Sequence, residues 1–102
     1  MTPETKGASG PRILVADDDR LVLSTLCAGL ARAGYRVEAA TSGADAVRAC
    51  ETNPPDLMVL DVDMPGMSGM DVARRVRENT DTPILLLTAY DDADLVQEAV
   101  AL

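Results

Sequence analysis

The chain has 102 residues, 47% of them apolar and 25% charged, with neither Trp nor Phe, so it makes one small domain with an aliphatic core. Seventeen acids against nine bases give a net charge of −8, which argues against direct contact with nucleic acid or an anionic membrane, and no apolar stretch approaches the roughly 20 residues that span a bilayer. The absence of histidine excludes a histidine general base, a Cys–His nucleophile pair and the usual zinc sites, and the two cysteines, Cys27 and Cys50, fit core residues of a reduced, cytoplasmic chain.

Met1 to Pro11 is small and polar, lacks the apolar run of a signal peptide, and reads as a disordered leader (1–11) before a domain over 12–102. Arg12 to Ala16 reads as a first strand, and Asp19 to Ala33 as a helix with Val22, Leu26, Gly29, Leu30 and Ala33 at helical spacing. Gly34 suits the left-handed position that ends a helix. Tyr35 to Ala39 is a short second strand. Ser42-x-x-Asp45 resembles a capping box opening a second helix, and Pro54-Pro55 ends it. Asp56 to Leu60 is the third strand, Met64-Pro65-Gly66 a turn, and Ser68-x-x-Asp71 the start of a third helix with Val72, Ala73 and Val76 facing inward. Pro83 leads into a fourth strand, and Asp91-x-x-Asp94 opens a fourth helix. The four methionines at 58, 64, 67 and 70 read as core and loop filler. Strand and helix alternate throughout, which predicts an α/β fold with a doubly wound parallel sheet.

Three apolar runs stop at polar groups: Ile13–Ala16 at Asp17-Asp18, Leu57–Leu60 at Asp61, and Ile84–Leu87 at Thr88. Branched apolar runs of this length are buried parallel strands, and ligands of such sheets bind at the carboxyl ends of the strands. The spacing therefore predicts that three carboxylates and a hydroxyl converge on one edge. Clustered carboxylates repel unless a cation neutralises them, and Mg²⁺ is the hard ion that combines carboxylate with phosphate oxygens. An Asp carboxylate is also a nucleophile towards phosphorus. Asp19 reads as the cap of the first helix.

The segments ILVADDDR, LMVLDVDMPGMSG and PILLLTAY, in this order and spacing, resemble the three strand-end motifs of the response-regulator receiver domain, a CheY-like fold. The resemblance runs from Arg12 to Leu102 and implies a flavodoxin-like strand order 2-1-3-4. It implies that Asp61 accepts a phosphoryl group and that Asp17, Asp18, Asp61 and the backbone carbonyl of Asp63 hold Mg²⁺ or Mn²⁺. It makes Thr88 the switch hydroxyl, and it makes Asp63 and Tyr90 the positions that tune phosphoryl lifetime. The implied partner is a sensor histidine kinase or a phosphotransfer protein of a two-component system. The protein would be a switch, not an enzyme beyond its own phosphorylation and dephosphorylation.

The sequence departs from that family in its last part. The family's fifth strand, the lysine that ends it and its fifth helix have no counterpart, and no lysine follows Lys6. Two alternatives stand beside the switch, the first fed by the missing lysine and the second by the Asp61-x-Asp63 pattern. One is a degenerate or truncated receiver that only docks partners. The other is a haloacid-dehalogenase-like phosphatase with Asp61 as nucleophile and Asp63 as acid/base. Right-handed crossovers place the first helix alone on one sheet face and the later helices on the other, which separates Cys27 from Cys50. The same argument leaves strands three and four uncovered on the first helix's side and predicts a homo-oligomer joined through that face or the strand-four edge.

Overall fold

A computed structural model describes residues 10–88. In chain order the elements are β1 (Arg12–Ala16), α1 (Arg20–Arg32), β2 (Arg36–Ala40), α2 (Gly43–Thr52), β3 (Leu57–Asp61), α3 (Gly69–Arg77) and β4 (Ile84–Leu87). The strands are parallel in the order β2-β1-β3-β4. This is the flavodoxin-like order that the motifs imply. The helix predicted from Asp91 lies outside the described residues.

The sheet separates two apolar layers. On one face Leu14, Ala16, Met58 and Leu60 pack with Val47 and Cys50 of α2 and with Val72, Ala73 and Val76 of α3. On the other, Ile13, Val15 and Val59 pack with Leu23 of α1, joined by Leu26, Cys27 and Leu30. The cysteines therefore sit on opposite faces, and both are free. Met58, Met64 and Met70 are buried, and Met67 packs against the core.

The inward stripe of α1 keeps Leu26 and Leu30 of the one expected but has Leu23 and Cys27 in place of Val22, Gly29 and Ala33. Leu23 is buried, whereas Val22 is 41% exposed and Gly29 and Ala33 lie in solvent. Both stripes have helical spacing. Leu26 and Leu30 belong to both, and the observed one hides Leu23 instead of Val22, a leucine removing more apolar surface from water than a valine. Two strands are displaced by one residue. Strand β2 starts at Arg36, not Tyr35, because Gly34 (φ 103°) and Tyr35 still belong to the end of α1. Their N–H groups donate to the carbonyls of Ala31 and Leu30 at 3.0 and 3.2 Å, closing a Schellman motif. Strand β3 starts at Leu57, not Asp56, whose carboxylate accepts from the Arg12 N–H at 2.7 Å.

The amino-terminal edge of the sheet is stapled by polar contacts. The Arg12 guanidinium donates to the carbonyls of Asn53 and Pro54 and to Glu38. Gly10 and Pro11, read from sequence as the end of the leader, both accept from Arg36. On β4, Ile84 and Leu86 pack towards α2 and α3, while Leu85 on the α1 side is 53% exposed. Among the described residues of β3 and β4 on this face, Val59 is buried in the α1 layer, Leu57 and Leu87 pack against it, and Leu85 is largely open, a smaller exposed patch than expected.

Candidate functional site at the carboxyl edge

Register brings the strand-end carboxylates together. Ala16 pairs with Leu60, so Asp17 and Asp61 emerge side by side from adjacent central strands. The Asp17 N–H donates to the Ala40 carbonyl at 3.1 Å, which holds the residue in line with the sheet. Carboxylate oxygens of Asp17, Asp18 and Asp61 all lie within 4.8 Å of one another. Asp17 is buried, Asp61 half-buried and Asp18 exposed.

Each acid in the Asp17–Asp19 run has its own task. Asp17 Oδ1 accepts from the Asp19 N–H at 2.9 Å, which turns the chain out of the strand. Asp19 Oδ1 then caps α1, accepting from Leu21 and Val22 at 3.0 and 3.2 Å. Asp18 is left facing the space before Asp61. On the facing strand, Asp61 Oδ1 accepts from the Asp63 N–H at 3.1 Å. Burial pushes the Asp61 carboxyl up from 3.8 to about 6; the Asp17 and Asp18 charges add to the rise and the Asp63 N–H opposes it.

The loop after β3 is built to hold this edge. The Val62 N–H donates to the Leu87 carbonyl at 2.9 Å, and Val62 and Met64 are buried beneath the loop. Gly66 has φ 80°, the turn that Pro65-Gly66 predicts. Ser68 and Asp71 form a full capping box on α3. Thr88 follows the last residue of β4, whose Leu87 pairs with Asp61, so the hydroxyl residue stands at the same edge and is exposed. Asp63 is exposed as well. Tyr90 lies outside the described residues.

Gly43 and Gly69 escaped the sequence reading. Each is the first residue of its helix and directly follows a serine N-cap, Ser42 or Ser68. The repeated Ser-Gly doublet was the available signal. A Cβ at either position would strike the backbone of the loop or of Asp61 itself.

A model of the response regulator receiver domain matches residues 13–102. The chain belongs to this family. The receiver is 44% identical over 87 residues to the transcriptional regulatory protein AfsQ1 of Streptomyces coelicolor, an alignment covering 84% of this chain and 39% of that protein. It is 47% identical over 91 residues to the response regulator MprA of a Mycobacterium species, covering 88% of this chain and 38% of the relative. The receiver thus spans about two-fifths of the length of these curated relatives. Among solved structures, the chemotaxis protein CheY4 of Vibrio cholerae superposes with a TM-score of 0.87 at 31% identity, covering 91% of this chain and 80% of that one. Nothing in the fold or the relatives favours the phosphatase or docking-only alternatives.

The donor set of the receiver fits a divalent cation. Three mutually repelling carboxylates at an open edge, one with its acidity already suppressed, match a hard ion that takes few protein ligands and keeps water. Among the described residues, no helix is long and apolar enough to cross a membrane.

Proposed function

We propose that this receiver is the phosphoacceptor of a two-component system and that Asp61 carries the phosphoryl group. The observation that bears the reading is the trio of Asp17, Asp18 and Asp61 at the carboxyl edge, with Asp61 ending a central strand. Asp61 is restrained by the Asp63 N–H and half-buried, which presents a fixed carboxylate to an incoming donor. One of its oxygens forms the new O–P bond as the N–P bond of a phosphohistidine breaks. The imidazole nitrogen keeps the bonding pair and takes up a proton.

Asp17, Asp18, Asp61 and the Asp63 carbonyl are the ligands assigned to Mg²⁺ or Mn²⁺. The bound ion supplies charge neutralisation for the carboxylates and the phosphoryl oxygens. Thr88 is the hydroxyl that would meet a phosphoryl oxygen, and Asp63, which is exposed, and Tyr90 are the positions that would set its lifetime. The partner is a cytoplasmic sensor histidine kinase or a phosphotransfer protein. The receiver acts as a switch that turns over only its own phosphoryl group.

Incubation with a small phosphodonor and Mg²⁺, followed by borohydride reduction, tests the assignment. Label is expected at Asp61 and lost in Asp61→Asn. Undiminished label in the variant, or no label in the parent, refutes it.

A further inference from the structure

The loop that follows Asp61 is braced at both ends by positions where no side chain fits. We propose that Gly69 and Gly43 are positioning residues for phosphoryl acceptance, a role that rests on the assignment of Asp61 above. Gly69 opens α3 hard against the end of β3. A Cβ there would lie 2.5 Å from the Asp61 carbonyl oxygen, 3.0 Å from its carbon and 3.1 Å from the Val62 Cα, where ordinary contact is 3.4–4 Å. All three are backbone atoms, so no rotamer change relieves the clash. Either α3 or Asp61 itself would have to move by about 1 Å to restore ordinary contact.

Gly43 braces the other end of the loop. A Cβ on it would lie 2.5 Å from the Met67 carbonyl oxygen and 2.8 Å from the Met67 Cβ. Neither glycine is needed for backbone conformation, because both lie in α-helices and neither has positive φ. Their requirement is contact, and what they contact is the acceptor and its loop. The contacts continue through the main chain. The N–H of Gly69 donates to the Val62 carbonyl at 3.1 Å, and the N–H of Val62 to the Leu87 carbonyl at 2.9 Å. The start of α2, the loop, the start of α3, the acceptor and the end of β4 thus form one braced unit. A displacement of the Asp61 backbone would disturb both its approach to Asp17 and Asp18 and its bond from the Asp63 N–H.

The test compares Gly69→Ala and Gly43→Ala with Gly34→Ala. Gly34 lies at the opposite edge of the sheet with φ 103°, so alanine there strains the backbone and lowers stability without touching the loop. Urea unfolding first defines conditions in which each variant is folded. Mg²⁺ affinity of the folded population is then read by NMR titration, and the labelling rate is read with a small phosphodonor. Gly69→Ala and Gly43→Ala are expected to lose about tenfold to hundredfold in labelling rate, the scale of a 1 Å misplacement, together with Mg²⁺ affinity. Gly34→Ala is expected to keep both at parental values. Parental affinity and rate in the two loop variants, or an equal loss in Gly34→Ala, overturns the proposal. If Gly69→Ala does not fold, Gly43→Ala decides it. A labelled parent with undiminished loop variants refutes the positioning role alone. An unlabelled parent removes the Asp61 assignment and this proposal with it.

Discussion

Replacing Asp61 by Asn should make the receiver more stable at neutral pH, although it removes the group on which the proposed chemistry depends. The carboxyl is pushed from 3.8 to about 6 by burial and by the charges of Asp17 and Asp18. For an acid this means that the folded chain binds more protons than the unfolded chain between those two values. The contribution of this carboxyl to stability is therefore fully present below about pH 4, is lost as pH rises through about 6, and stays lost above it. At 1.36 kcal/mol per pH unit the full displacement corresponds to ~3 kcal/mol. Solvent at the open sheet edge screens part of the repulsion and leaves about 1–2 kcal/mol. Asn keeps the shape, and its side-chain oxygen can still accept from the Asp63 N–H, but it carries no charge. Urea unfolding in EDTA, followed by circular dichroism, should find Asp61→Asn more stable by that amount at about pH 7.5 and indistinguishable from the parent near pH 4. Millimolar Mg²⁺ should stabilise the parent by mass action and narrow the gap. A variant no more stable than the parent in EDTA at neutral pH would refute the reasoning. So would a gap that is the same at both pH values.

Two further outcomes test the packing. Leu23→Ala should cost about 3 kcal/mol in urea unfolding because Leu23 is buried under α1, whereas Val22→Ala, at a 41% exposed position, should stay within about 0.5 kcal/mol; equal costs would restore the stripe read from sequence. The receiver should self-associate at micromolar concentration through the face or edge of β4, and Leu85→Lys, at a 53% exposed position, should shift sedimentation towards monomer; a compact, cooperatively folding monomeric parent would end that idea.

The sheet and the carboxylate trio were legible because each strand is a branched apolar run that stops at its functional residue. In a parallel sheet, topology alone then brings Asp17, Asp18, Asp61 and Thr88 to one edge. The face of α1 was not legible. Val22 and Leu23 are adjacent, two stripes share the helical period, and the choice between them depends on how much leucine surface each hides. The one-residue strand shifts came from competition for hydrogen bonds. Tyr35 is claimed by a helix end, and the Asp56 side chain takes the N–H of a neighbouring strand. Gly43 and Gly69 were signalled by the Ser-Gly doublet alone, because what forbids a side chain there is a segment distant in space, which periodicity within a helix does not register.

The consecutive aspartates at 17, 18 and 19 constrain how this segment can vary in length. The three side chains are chemically identical, yet one turns the chain, one faces the acceptor and one ends the helix. Losing any one of them by deletion would leave the same two aspartates, and one of the three posts would go to Arg20 or Ala16. A substitution at one of these positions damages a single duty, whereas a change of length here also shifts the join between β1 and α1. Insertions and deletions accumulated among receivers of this kind should therefore avoid this run.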